Sequence, residues 1–353
     1  MGCKTAAADW ATGWDTLSLS LASRHLANTP AVAKAYQAGT LVFGTVDSWL
    51  LWHLAQEKKS VTTPTNATSA GAYCLKEHHY HLPWLQTLGF PASLLPELHD
   101  DADDFGTTHE DILGISVPIL ACAGDQFAGA IGLGCTERGQ AFCMHGTGSF
   151  VDLMMGPTVP TLQKGCESTL TMTARRQKGL SHFSVETFVP TTGSALNWVC
   201  EKLHWFDSPE QISELAAQAS DAGGVSFIPA LTGLRVPHLQ PHARASLNGI
   251  SISTTRSQVA YAILEGIAHS VAACIRANEA ATGIPTKELV VGEGYPIAIR
   301  YCKSRPILAV FPCGEWPKRR GKLTWRCVFG WCRWAAVGLA AGCLRHAKNR
   351  AAI

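Results

Sequence analysis

The chain has 353 residues, 46% hydrophobic and 16% charged, with a formal net charge of +2. That balance excludes a fibrous or wholly disordered polypeptide and leaves enough chain for two buried cores. Its longest uninterrupted apolar runs, "VPILACAG" and "WAAVGLAAGCL", fall short of the roughly 20 residues of a spanning helix, and no charged-apolar-small pattern opens the chain, so a cytoplasmic protein with no membrane partner is expected.

From Leu41 to Leu54, "LVFGTVDSWLLWHL" predicts a short strand, a turn and an amphipathic helix capped by Asp47 or Ser48. "VTTPTNATSAGAY" is small and polar and reads as a loop or edge near a cleft, and "LPWLQTLGFPASLLPEL" as a helix broken at Gly89-Phe90-Pro91 followed by a second short helix. "SVPILACAGDQ" predicts a buried strand over Val117 to Ala123 with an acid, Asp125, at its end, and the small residues Phe127 to Gly134 then suit a closely packed helix. "RGQAFCMHGTGSFVDLMM" alternates as a hairpin around Gly146-Thr147-Gly148. "SHFSVETFV" predicts a strand, and Thr191 or Thr192 caps a helix opening near Gly193. Short strands in "GVSFIPALTG" and "RASLNGISISTT", a long helix with Val259, Ile263, Ile267, Val271 and Ile275 on one face, and a core strand in "KELVVGEG" follow. Strands alternating with helices imply an α/β architecture with its site at strand carboxyl ends.

Beyond that point the pattern fails. Residues 295–353 carry 12 Lys and Arg against one acid, Glu315, leaving 17 basic and 26 acidic residues before them. The same stretch holds four of the eleven Trp and five of the thirteen Cys. Interleaved basic and aromatic residues are one pattern of nucleic-acid arms. An abrupt rise in Trp, Cys and Arg is also what a GC-rich gene read out of frame gives, and no nucleic-acid partner is expected. The cysteines, without a CxxC pair or Cys/His metal spacing, read as free thiols.

Few residues carry chemistry. Asp125, at the end of an apolar run, is suited to accept a proton from an alcohol as a partly desolvated carboxylate, and equally suited to cap the helix that follows. Gly146-Thr147-Gly148 is either a phosphate-approaching turn or a plain hairpin turn. Gly193 either admits a nucleotide close to the backbone or makes a tight turn. His145 and the histidines of "KEHHYHLPW" lack metal-ligand company and read as solvated surface.

In order and spacing these motifs resemble the FGGY carbohydrate kinases, and within them the glycerol-phosphorylating branch. The resemblance rests on "LVFGTVDSWLLWHL", "VTTPTNAT", "AGDQFAGAIGLGC", "HGTGSF", "FIPALTGLRVP" and the span Ala245 to Glu265, and it covers about Ala27 to Gly294. It implies a ribonuclease-H-like, actin/hexokinase-like two-domain ATPase fold, with residues 1–134 as an incomplete amino-terminal domain, 135–294 as the carboxy-terminal domain and 295–353 as a tail out of pattern. The implied cofactors are ATP and Mg2+, the implied acceptor glycerol or a related polyol, and self-association is allowed. By the same resemblance Asp125 is the general base, Gln126 and Phe150 contact the polyol, and Gly146, Thr147, Gly193, Asn197 and Gly294 line the nucleotide. The "D-GTTS-R" turn and the polyol-gripping Arg-Glu pair of the family have no counterpart, so the alternative expectation is a catalytically inactive module that binds a nucleotide or a partner. No residue is expected to serve as a metal ligand.

Overall fold

The computed structural model describes residues 18–163, 169–293, 298–300 and 309–311. Helices α1 (Ser18–Asn28), α2 (Pro30–Gln37) and α3 (Val46–Leu54) are followed by β1 (Val61–Thr62), α4 (Pro64–Ala70), β2 (Tyr73–Cys74), β3 (His79–Tyr80), α5 (Leu82–Leu88), β4 (Glu97–Leu98), α6 (Glu110–Leu113) and α7 (Asp125–Gly132). Next come β5 (Gln140–His145), β6 (Ser149–Gly156), β7 (Leu170–Gln177), β8 (Leu180–Val189), α8 (Gly193–Glu201), α9 (Pro209–Ala216), β9 (Ser226–Ile228), β10 (Ser246–Asn248), α10 (Arg256–Thr282), β11 (Glu288–Glu293), β12 (Ala298–Arg300) and β13 (Ala309–Phe311).

The organising element is a five-stranded sheet in the order β11-β5-β6-β8-β7, in which β11 runs parallel to β5 and the other neighbours are antiparallel. Because successive strand side chains alternate between faces, Val151, Leu153 and Val185 turn to one side and pack against Ile263, Ile267, Val271 and Ile275 of α10. Phe142, Met154, Leu170, Met172 and Val290 turn to the other and pack against Phe127 and Ala130 of α7. The sheet is thus covered on both faces, and α7 meets it through small residues: a Cβ on Gly129 would lie 3.0 Å from Met144 Cε. Helix α10 starts with a reciprocal capping box, Gln258 N–H donating to Thr255 Oγ1 at 3.2 Å and Thr255 N–H to Gln258 Oε1 at 2.9 Å. It ends at Gly283, whose φ of +69° is a left-handed conformation that L side chains rarely adopt. It is also the one described helix long and apolar enough to cross a membrane, and its apolar face is spent on the sheet.

Several expectations are corrected. Val117 to Ala123 is extended but forms no strand: Ile119 N–H donates to Gly106 O and Thr108 N–H to Val117 O, a ladder too short to propagate. Leu41 to Phe43 likewise forms none. Helix α3 is capped at Thr45, since Asp47 turns inward to accept from the hydroxyls of Thr45 and Thr62 and from Thr63 N–H. "VTTPTNATSAGAY" is a buried strand-helix unit, β1 and α4, with Pro64 opening the helix, rather than a loop. Cys122, Cys135, Cys143, Cys200 and Cys274 are buried free thiols, whereas Cys74 is disulfide-bonded.

Candidate active site

Gly124 is the N-cap of α7 and Asp125 its first helical residue, so the carboxylate sits at the positive end of the helix with Oδ1 accepting from Gln126 N–H at 2.8 Å. It is exposed, not desolvated as expected from the apolar run before it, because the helix turns its side chain off the sheet. The backbone that carries it is fixed from two sides. Gly124 N–H donates to Thr65 Oγ1 at 3.0 Å, and Thr65 Oγ1 in turn donates to buried Asp101 Oδ1 at 2.8 Å. Burial pushes the Asp101 carboxyl up to about 6, against the hydrogen bonds from Thr65 and Arg176 N–H. On the sheet side, the Gln126 amide donates to both Asp152 Oδ2 and Glu186 Oε2.

Asp152 on β6 and Glu186 on β8 are direct cross-strand partners and both are buried. Ser184 Oγ adds a 2.9 Å bond to Asp152 Oδ1. Burial raises Asp152 to about 7, and burial followed by the neighbouring Asp152 charge raises Glu186 to about 8. Two adjacent buried carboxylates with one neutral amide and one hydroxyl between them retain a proton near neutral pH. Sequence reasoning missed this pair. Its only signal was an acid at an inward position of each of two strands.

Two residues along the same face lie Phe150 and Phe188, also cross-strand partners, stacked with ring centroids 5.5 Å apart. Since Gln126 covers Asp152 and Glu186, and Ala130 lies further along over Met154, the amino-terminal end of α7 points toward this aromatic pair. Phe150 is 38% exposed. Gln126 therefore lies over the sheet face that carries Phe150 two residues away, with its amide nitrogen committed to the acids, and Asp125 stands beside it in sequence with its side chain exposed.

The strand β5 and β6 turn, Gly146-Thr147-Gly148, docks on the start of α8. Thr147 O accepts from Thr192 N–H at 3.1 Å and Ser194 N–H at 3.0 Å, and Gly146 O accepts from Gly193 N–H at 3.1 Å. Gly148 is the glycine that close approach demands, since a Cβ there would lie 2.5 Å from Val189 O. Thr147 is exposed, and its N–H and that of Gly148 have no acceptor among the described residues, whereas Gly146 N–H closes the turn onto Gly148 O. Successive backbone N–H groups of a turn left without acceptors are the kind of group that binds anions. Thr192 is the N-cap of α8, but its hydroxyl serves a buried chain instead of the cap: His145 Nδ1 and Ser149 Oγ are 2.6 Å apart, and Ser149 Oγ donates to Thr192 Oγ1 at 2.9 Å. His145 is thus buried, not solvated, and burial lowers its pKa to about 4. Asn197 lies one turn along α8, half-buried, and Gly294 lies outside the described residues.

Two family models match this architecture: the amino-terminal domain of the FGGY family of carbohydrate kinases over residues 19–132 and its carboxy-terminal domain over residues 141–294. The chain belongs to the FGGY family of carbohydrate kinases. Among curated relatives, the glycerol kinase of Thermus brockianus is 36% identical over 269 residues, 76% of this chain and 54% of that protein. That of Alcanivorax borkumensis is 32% identical, covering 80% of this chain and 58% of its own length. Among solved structures, a Plasmodium falciparum glycerol kinase with ADP superposes with a TM-score of 0.68 at 26% identity, over 76% of this chain and 53% of that one. A Lactobacillus acidophilus xylulose kinase, at 19% identity and TM-score 0.65, over 82% of this chain and 58% of that one, shares the fold. The chain spans about half the length of the curated relatives it matches. Its fold is the actin/hexokinase-like α/β fold of the family.

Proposed function

We propose that this site serves ATP-dependent phosphorylation of a polyol hydroxyl, with glycerol the acceptor and glycerol 3-phosphate the product. What supports the reading is an exposed carboxylate at the α7 amino terminus whose neighbour Gln126 bonds Asp152, four residues along the chain from Gly148 of a Gly-Thr-Gly turn in which the Thr147 and Gly148 N–H groups have no acceptor among the described residues. Relatives that cover about three quarters of this chain are named glycerol kinases, and one such neighbour holds ADP. In this reading residues 1–134 and 135–294 are the two sides of a cleft, in the cytoplasm, and the nucleotide lies along Gly146, Thr147, Gly193 and Asn197.

The acceptor oxygen attacks the terminal phosphorus in line. The new O–P bond forms as the bridging P–O bond to ADP breaks, and the hydroxyl proton passes to Asp125. Phe150 offers an apolar wall for the carbon chain. Magnesium ordinarily arrives with the nucleotide's phosphates and takes one or two carboxylates and several waters. The described residues around the turn offer no carboxylate cage for it: Asp152 and Glu186 are tied to Gln126, and the one cluster with ligand spacing, Cys74, Glu77 and His79, lies elsewhere and contains the disulfide-bonded Cys74. Among the described residues Asp125 is the exposed carboxylate at this site, so magnesium would arrive with the nucleotide's phosphates rather than rest in a protein cage, and no step is assigned to it.

The test is a coupled assay of glycerol and Mg-ATP with the chain and its Asp125→Asn variant. Loss of a proton acceptor lowers turnover by about a hundredfold or more while ADP affinity is retained. Equal turnover in the two proteins, or none in either alongside no ADP binding, rejects the reading.

A further inference from the structure

Three arginines among the described residues are half-buried, and two of them are spoken for. Arg176 pairs with Asp100 at 2.7 Å and with Ser181, and Arg175 lies 3.3 Å from His182. Arg235 has no side-chain hydrogen bond or ion pair among the described residues. Its guanidinium carbon sits 5.0 Å from the centroid of Phe188. The backbone that presents it is a closed loop in which Leu234 and Gln240 exchange hydrogen bonds of 2.9 and 2.8 Å, so the side chain leaves from a fixed base. A guanidinium stacked on a ring keeps its N–H edge available to a ligand.

The position of the stack says which ligand. Phe188 is stacked on Phe150, one step along the sheet face from the Asp152–Glu186 pair that is covered by Gln126, the residue after Asp125. On its other side, Phe188 leads into Val189 and Pro190, whose carbonyls touch Gly148 of the Gly-Thr-Gly turn. The aromatic platform under Arg235 therefore spans the interval between the candidate base and the candidate phosphate turn. A polyol carries no charge there, and ADP ends one phosphate short. The group that occupies that interval is the phosphoryl group in transit, whose planar array of oxygens matches the guanidinium fork.

We propose that Arg235 binds the oxygens of the transferring phosphoryl group, on the terminal phosphate of ATP before transfer and on the phosphorylated polyol after it. This rests on the kinase reading above. It is tested by calorimetric titration of the chain, Arg235→Gln and Arg235→Lys with four ligands: the non-hydrolysable β,γ-imido analogue of ATP, glycerol 3-phosphate, ADP and glycerol. Arg235→Gln is expected to weaken the first two by about ten- to a hundredfold, the value of one charge-assisted contact, and to leave the last two within about twofold. Arg235→Lys, which keeps the charge on the ring but loses the fork, is expected to lose less, and it decides the matter if the Gln variant fails to fold. Binding of all four ligands unchanged in both variants, or weakened equally, overturns the role of Arg235 while the kinase reading stands. Failure of the unsubstituted chain to bind ADP overturns the kinase reading and, with it, the role of Arg235.

Discussion

Residues 18–134 and residues 135–293 are built on different scales. The second region contains strands of 6, 8, 8, 10 and 6 residues joined in one sheet and a 27-residue helix across it. Every strand of the first region has two residues, and apart from side chains such as Tyr73, Leu75, Phe127 and Ala130 that join the cores of the large sheet, its buried apolar residues form two small clusters, one around Leu19, Leu85 and Phe90 and one around Leu51, Val61 and Ile119. Large apolar side chains also face outward there, with Val46 73% and Trp49 61% exposed. The wholly apolar "VPILACA" in the first region ends up merely extended, whereas "ELVVGE" in the second, with a Glu at each end, is a full strand. A strand needs a neighbour to complete its backbone hydrogen bonds, and β11 finds all six positions of β5 while Ile119 finds two bonds. Hydrophobic pattern permits a strand, and the ladder partner decides it.

The largest expected effect separates the two regions directly. Ile267→Ala, at a side chain fully buried between α10 and the sheet, should cost about 3–5 kcal/mol, because the surrounding strands cannot collapse into the space. Leu51→Ala, 2% exposed in its six-residue cluster, should cost about 2 kcal/mol, nearer the low end for such truncations. Denaturant unfolding of both variants measures this, and equal losses would mean that the small cluster around Leu51 is packed as rigidly as the core between α10 and the sheet.

Next in size is the pH dependence of the acid pair that anchors α7. The folded pKa values of Asp152 and Glu186, about 7 and about 8, stand above their ordinary values of 3.8 and 4.5. The folded state then holds more protons than the unfolded one between those limits. Stability from the pair is fully present below about pH 4 and is lost as pH rises through 7 to 8. Glu186→Gln leaves one acid with a permanent neutral partner, and thermal unfolding between pH 5 and 9 should show a flatter decline than in the unsubstituted chain. An identical profile would show that the pair is already solvated.

How much of this was legible in the sequence differs by region for the same reason. The hairpin around Gly146-Thr147-Gly148, the strand through Phe188, the face of α10 and the strand after Lys287 follow from periodicity and caps, because long elements buried on a sheet impose a period. The strand Leu170–Gln177 and the helix Pro209–Ala216 were not read from it. "LTMTARRQ" mixes Thr and Arg into its alternation, and the helix is short. In the site, Asp125 and the Gly-Thr-Gly turn were visible as composition. The exposure of Asp125 was not, since it depends on which way the first turn of α7 rotates. Neither was the burial of His145, nor the Asp152–Glu186 pair, which exists only once β6 and β8 are in register. Arg235 lies within the "FIPALTGLRVP" block but was given no role there, and its place follows from the loop that closes Leu234 onto Gln240.

The smallest expected effect probes α7, the helix of the first region that docks on the sheet of the second. Thr65 is the only described side chain that ties the first region to the N-cap of α7, accepting from Gly124 N–H and donating to Asp101. Asp101 keeps Arg176 N–H and a 3.4 Å contact with Thr65 N–H when the hydroxyl is gone. Thr65→Val, nearly isosteric, should therefore cost about 1–2 kcal/mol, the value of a hydrogen bond to a charged or partly charged acceptor in a buried setting. Gln126→Met removes the opposing tether to Asp152 and Glu186. If both tethers act on one element, the first turn of α7, the double variant should lose less than the two single losses together, because once one tether is cut the turn frays and the other has less to hold. Additive losses in a double-mutant cycle would mean that Thr65 stabilises the first region and Gln126 the second independently. Hydrogen exchange at the amides of α7 separates the two cases: a shared element shows faster exchange in either single variant, an independent one only with Gln126→Met.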